Sequence, residues 1–303
     1  MLYYESNSND PRYNQALEEL LLAKETDEIL MLWQNEPAVV VGCCQNLFAE
    51  VDVFRARKKG ITLVRRTSGG GAVYHDRGNF NFTLIRRSDA ASPLAYADFL
   101  APVIEALALL GIEARQNRIC DLTVNGKKIS GSAQRCVKGR VLHHGTLLYD
   151  TDLSVLRSLT AGRRAYYTAK GVASSPFPVT NLKEEYGLSW STEEFFTRLR
   201  EALFSVLSPE PAAVSPALAA EAEALARDKY ADPAWTYGRC PSYRYKRPLP
   251  DGTVVSYEGS RGKMTGFEPA FLLSFLEGSP LNPDFVYAML HVKGMDALCP
   301  YIF

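Results

Sequence analysis

Between positions 65 and 79 the chain reads RRTSGGGAVYHDRGN: two arginines, two hydroxyl residues, three adjacent glycines, then a histidine and an asparagine. Three successive glycines lose much conformational freedom on ordering, and the usual reason to keep them is close approach of the main chain to a ligand. Bare N–H groups in such a loop converge on an anion, and neighbouring arginines add charge and paired donors. The stretch reads as an anion-binding floor between a strand at 61–64 and another at 72–75. A flexible hairpin tip with two solvated arginines is the competing reading; His75 and Asn79 favour the floor. No Gly-Lys-Ser/Thr follows and a strand comes next, so this is not a Walker A loop. The GxGxxG turn into a helix is also absent.

A second group is CDLTVNGKKISGSAQ at 120–134. Asn125-Gly126 is a tight-hairpin signal, so a lysine just after it has a fixed direction. Strict alternation puts Lys128, Ser130 and Ser132 on one face and Lys127, Ile129 and Gly131 on the other. The small residues at 130–133 leave room for a ligand. The competing use is an edge-strand lysine that discourages aggregation. A third group, HHGTLL at 143–148, reads as a strand with one buried, hydrogen-bonded histidine. Nothing else supplies metal-ligand spacing with it.

The elements that position these groups follow from caps, turns and periodicity. Asp10-Pro11 opens a helix to about 24, followed by strands at 29–33 and 38–41 and a helix at 51–59. After the glycine stretch, 79–85 alternates as a strand. Ser92-Pro93 opens a helix carrying Phe99, Val103, Ile104, Leu107 and Leu110 that stops at Gly111. Strands are expected at 121–124, 128–134 and 141–149, a short helix at 152–159, and an aperiodic basic loop at 162–178. Ser191 and Glu194 form a capping box for a helix to about 207, and Ser215-Pro216 opens another. After Asp228 prolines and aromatics cluster, with strands at 253–257 and 263–267 and a helix at 283–290. Strand runs joined by hairpins with helices inserted predict an α+β fold. The expected division is 1–228 as a catalytic domain and 229–303 as a linker and small accessory domain.

With 303 residues, 34 basic and 34 acidic, the chain has no bulk charge to draw nucleic acid or membrane. The six cysteines form no zinc spacing, and the N-terminus has no secretory pattern. The apolar stretch at 99–112 contains Glu105 and is too short to span a bilayer. A cytoplasmic protein with reduced thiols is expected.

Together these groups resemble the lipoate–protein ligase A family, within the biotin/lipoate ligase and octanoyltransferase superfamily. The resemblance rests on RRTSGGGAVYHDRGN, on DLTVNGKKISGSAQ at 121–134, on HHGTLLYDTDL at 143–153, and on Lys170-Gly171 through Ser174 followed by Val179-Thr180-Asn181-Leu182. It covers roughly 14–207. It implies a large α+β catalytic domain with mixed sheets flanked by helices, and a shortened α+β accessory tail. It implies ATP-dependent formation of lipoyl-AMP with Mg²⁺, then transfer to a lysine of lipoyl carrier domains, in 2-oxoacid dehydrogenases or the glycine-cleavage H protein. By resemblance Lys128 is the catalytic group. Arg66, Gly70, Gly71, Ala72, Val73, Tyr74, His75, Asn79, Asp121, Ser130, Ala133, His144, Gly145, Thr146 and Lys170 bind nucleotide or acyl group, with Asp121 also a metal ligand. The dithiolane slot is expected beside residues 69–71 and 143–147.

Two positions depart from the family. Cys43 stands where an arginine is usual, and Ile119-Cys120 stand where Arg-Asn is frequent; both changes remove polar groups near the expected pocket mouth. Two alternatives stay open. One is an ATP-independent octanoyl or lipoyl transferase, in which Cys120 would be the nucleophile. The other is a non-catalytic lipoate- or adenylate-binding protein.

Overall fold

The computed structural model describes residues 1–88, 95–117, 120–160, 162–175 and 177–303, without the side chains of 271 and 272. The expected helix start at Ser92-Pro93 falls outside the described residues, as does Ile119. The helix itself runs Tyr96–Leu109, and the Asp98 carboxylate reaches back to accept from Ala95 N–H at 2.7 Å.

An eight-stranded mixed sheet forms the body, in the order β12 (Glu210–Pro211), β1 (Leu2–Glu5), β2 (Ile29–Trp33), β6 (Asn79–Arg87), β10 (Arg140–Leu148), β9 (Lys127–Val137), β8 (Asp121–Val124) and β7 (Arg115–Asn117). Alternation decides its two faces. Phe80, Phe82 and Leu84 of β6 turn to one side, into a core with helices Tyr96–Leu109 and Thr192–Leu207. Ile85 and Leu142 turn to the other, under helices Pro11–Lys24 and Pro216–Leu225. On that second side Asn81, Thr83, His144 and Thr146 are polar and buried. Buried polar groups need partners or a ligand, so this patch marks the site within the sheet.

A second sheet, β4 (Thr62–Arg65), β3 (Ala38–Val41) and β5 (Val73–His75), carries the glycine stretch between its outer strands. The third is β11 (Tyr167–Ala169), β13 (Tyr243–Pro248), β14 (Val254–Ser260) and β15 (Lys263–Glu268). Part of the expected loop at 162–178 is thus ordered: a 3₁₀ turn at Arg163–Tyr166 leads into β11, which pairs with β13. The tail hairpin and its helix, Pro283–Val292, form as read from sequence.

One apolar cluster joins Val41 and Phe48 to Tyr245, Tyr257 and Phe303. Phe48 stacks on Phe303 with ring centres 4.7 Å apart. The tail therefore shares a core with the glycine-bearing sheet. The helix expected at 51–59 forms as Val53–Lys58, and a separate short helix, Leu47–Glu50, precedes it. Each has its own cap: Asn46 accepts from Phe48 N–H at 3.1 Å and Asp52 from Arg55 N–H at 2.8 Å. The short strand β1 gave no sequence signal; its four residues find their place by parallel pairing with β2.

Candidate active site

The glycine stretch is held by its arginines. Arg66 is 5% exposed. It donates through Nε to Ser68 Oγ at 2.9 Å, through Nη1 to Val40 O at 3.0 Å, and through Nη2 to Gly71 O at 2.7 Å and to Gly69 O. Burial lowers its pKa to about 10, with Cys43 and Glu18 pulling the other way. Arg65 is fully buried and donates to Gly42 O at 2.8 Å, Gln45 O at 2.9 Å and Thr236 O at 3.0 Å. The donors described for these arginines go mostly to the protein's own main chain, and Arg66 also borders the slot. They grip main-chain carbonyls of the glycine stretch, of the loop after β3, of Val40 and of Thr236. Gly70 has φ +83°, which favours glycine, and an added Cβ at Gly71 would lie 3.1 Å from Ser174 Oγ.

The strand bearing the lysine does not alternate as expected. Lys128 pairs with Thr123 and Ser130 with Leu122, leaving Ile129 as an extra residue. Such a bulge re-aims one side chain. Lys128 Nζ consequently lies over Gly131, where a Cβ would be only 2.9 Å away, and 2.7 Å from Asp121 Oδ1. Ser130 is swallowed, fully buried, its hydroxyl without a partner among the described residues.

Behind the slot runs a buried polar chain. His144 Nδ1 meets the Glu18 carboxylate at 3.1 Å and its Nε2 meets Ser68 Oγ at 2.7 Å. Glu18 also accepts from Gln15 Nε2 at 2.8 Å and from the Thr83 hydroxyl. His75 Nδ1 accepts from Asn35 Nδ2 at 2.9 Å, and Asn35 Oδ1 in turn accepts from Asn14. Burial first, then the nearby Arg66 charge, lowers His75 to a pKa of about 3, so its ring is neutral. Its Nε2, buried and with no partner among the described residues, carries the proton, and the residue lines the slot.

Two cavities meet here. One, about 290 Å³, is bordered by Trp33, Val40, Gly70, Gly71, Ala133 and Gly145 among others and is the narrower slot. The other, about 500 Å³, is bordered by Tyr74, Leu148, Arg157, Arg163 and Arg164. Ala72, Val73, Lys128, Gly131, Thr146, Ser174 and Ser175 border both. An apolar slot opening past a single lysine into a cation-lined chamber suits a molecule with an oily tail and an acid head that must meet a polyanion.

The lipoyl protein ligase A/B catalytic domain matches residues 10–204. The chain belongs to this family. Lipoate-protein ligase LplJ of Bacillus subtilis is 34% identical over 274 residues, 87% of this chain and 82% of its own length. A crystal structure of lipoate-protein ligase A bound with ATP has TM-score 0.65 at 26% identity, covering 78% of this chain and 98% of that one. A bi-partite lipoate protein ligase of Thermoplasma acidophilum, described with its E2 lipoyl domain, has TM-score 0.65 at 26% identity, covering 78% and 96%.

In this family member the cavities gather Arg66, Gly70, Gly71, Ala72, Val73, Tyr74, His75, Asp121, Lys128, Ala133, His144, Gly145 and Thr146 of the expected set. Three stand outside. Ser130 is buried by the bulge. Asn79 is fully buried, with its amide nitrogen on Asn81 at 3.0 Å. Lys170 is exposed beyond the end of β11, and residues 172–175 of its loop border the slot instead. Trp33, Gln15 and Asn81 also line the slot, and the sequence marks them only as strand or helix positions. Ser174 belongs to the 170–174 loop motif, but no local pattern marks its contacts with Ala72 and Gln45. Cys120 lines the slot; burial, then the Asp121 carboxylate, pushes its thiol pKa up, the opposite of what a nucleophile needs. Asp121 is bound to Lys128 and Glu50 to Arg164 at 2.8 Å. No group of three metal-ligating side chains occurs among the described residues. The described residues do not make up a resident metal centre. No helix among the described residues is long and apolar enough to cross a membrane.

Proposed function

We propose that the protein activates lipoate with MgATP to lipoyl-AMP and transfers the acyl group to a lysine of lipoyl carrier domains. The carriers are those of 2-oxoacid dehydrogenases and the glycine-cleavage H protein. The observation that carries this reading is the position of Lys128 where slot and chamber join. The slot takes the hydrocarbon and dithiolane; the chamber takes the nucleotide.

The chemistry brings two anions together. A carboxylate oxygen attacks the α-phosphorus, a new O–P bond forms, and the bond to the β-phosphate oxygen breaks, its electron pair leaving with pyrophosphate. Lys128 sits between both reactants and offsets their repulsion, with Asp121 fixing its direction. The glycine-loop amides, aimed by Arg66, add oriented dipoles that need no rearrangement during the reaction. In the second step the carrier amine attacks the acyl carbon, and AMP leaves. The transferase alternative needs a thiolate at Cys120, which its raised pKa disfavours.

The test is mass spectrometry of a lipoyl carrier domain after incubation with the enzyme and lipoate. A gain of one lipoyl group only when MgATP is present supports the reading. Equal gain without ATP from an acylated carrier would establish the transferase. No lipoyl-AMP under any condition would leave the non-catalytic binding protein.

A further inference from the structure

Ser174, in the loop after β11, reaches the glycine stretch through its side chain and borders both cavities. Its hydroxyl oxygen accepts from Ala72 N–H at 2.9 Å and from Gln45 Nε2 at 3.0 Å. A serine oxygen has two acceptor sites and one donor hydrogen. Both acceptor sites are therefore filled by groups of the protein. The hydrogen has no acceptor among the described residues. It is left to whatever occupies the junction that Ser174 shares with Lys128, Gly131 and Thr146.

The loop around it is fixed independently of any ligand. Glu50 accepts from Ser174 N–H at 3.2 Å and from Arg164 at 2.8 Å, and Arg164 also donates to Ser174 O at 2.6 Å. Val172 N–H donates to Cys44 O at 3.3 Å. A donor held in this way costs no reorganisation at the moment of reaction, the property that makes such groups effective.

We propose that Ser174 is a further catalytic residue, which donates its hydroxyl hydrogen bond to the oxygens of the carboxylate and α-phosphate as they join, opposite the Lys128 ammonium. In the attack on phosphorus described above, negative charge shifts onto the equatorial oxygens and then onto pyrophosphate. Ser174 gives no proton away; it stabilises the charge by hydrogen bonding. This rests on the adenylate-forming reading.

The test is lipoate-dependent ATP–pyrophosphate exchange with Ser174→Ala and Ser174→Cys. Wild type must exchange first; if it does not, the adenylate reading itself falls and Ser174 is not at issue. With wild type active, Ser174→Ala should lower kcat by roughly 10- to 100-fold while KM for ATP and for lipoate stays within about threefold, because the loop keeps its Glu50, Arg164 and Cys44 ties. Ser174→Cys, a weaker donor of similar shape, should fall between the two. A raised KM with kcat preserved would make Ser174 only a latch for the loop and overturn the proposal. Unchanged kcat and KM would overturn it as well. Should Ser174→Ala fail to fold, Ser174→Cys decides alone: wild-type kcat overturns, a lowered kcat with KM preserved supports.

Discussion

Lys128 Nζ and Asp121 Oδ1 lie 2.7 Å apart, on neighbouring strands whose register slips by one residue between them. The slip brings the ammonium onto the face of Asp121 and Gly131; without it Lys128 would follow the ordinary alternation. The pair is mostly shielded, with the lysine side chain 24% and the aspartate 6% exposed. The carboxylate aims the lysine, and the proposed adenylation assigns the charge stabilisation to that lysine. Lys128→Ala is expected to remove lipoyl-AMP formation by a factor of roughly 10² to 10³. Asp121→Asn keeps the shape but loses the ionic hold, and a smaller fall of about tenfold is expected. ATP–pyrophosphate exchange measures both, and wild-type rates in Lys128→Ala would remove the assignment.

Arg65 joins the loop after β3 to the tail, from Gly42 O and Gln45 O on one side to Thr236 O on the other. Lysine cannot reproduce a planar fork with five donors. Arg65→Lys should leave buried carbonyls unpaired and cost about 3 kcal/mol of unfolding free energy. The urea midpoint reads this directly. An unchanged midpoint would mean the strut is replaceable by water.

The three adjacent glycines are not equivalent, and Gly42 matters alongside them. A Cβ on Gly42 would lie 2.3 Å from Gly70 O, a main-chain atom that cannot swing aside. Around Gly69 a Cβ meets nothing within 4 Å, and its φ is not left-handed. Gly42→Ala should therefore cost about 1–3 kcal/mol and disturb the cradle, while Gly69→Ala stays within about 0.5 kcal/mol of wild type. Thermal melts of the two variants should separate clearly; equal melting temperatures would contradict the close approach.

Acid should destabilise the protein through two buried neutral histidines. His143 stacks on Phe99 with ring centres 4.9 Å apart, and burial lowers its pKa to about 3, as it does for His75. Each folded pKa lies below the unfolded value of about 6.5, so the unfolded chain binds the extra protons. The stabilisation from keeping them neutral is complete above about pH 6.5 and is lost as pH falls towards 3, by up to about 1.4 kcal/mol per pH unit per ring. His143→Phe keeps the stacking and removes one titrating group. Its urea midpoint should fall less than wild type's between pH 6.5 and 4.5. Parallel curves would show that His143 does not carry this dependence.

Most elements were legible because their signals lie along the chain. Asp10-Pro11 and Ser191 cap helices, Asn125-Gly126 turns a hairpin, and β2 and β3 came out at their observed limits, since apolar runs bounded by turn residues are local facts. The glycine stretch, Lys128 and the His144 strand announced themselves by composition, and thirteen of the sixteen expected site residues border the two cavities. Tertiary structure decided the rest. It inserted Ile129 as a bulge, because β8 and β9 must pair around the junction. It turned both arginines onto carbonyls, because buried guanidiniums take the nearest oxygens, and beside the adjacent Gly69 and Gly71 these include the distant Val40 and Thr236. It set Ser174 on Ala72, 102 positions apart, and left Lys170 in solvent. Local pattern specifies which backbone forms; which side chains share a cavity depends on strand register and packing between distant segments, and those are properties of the folded whole.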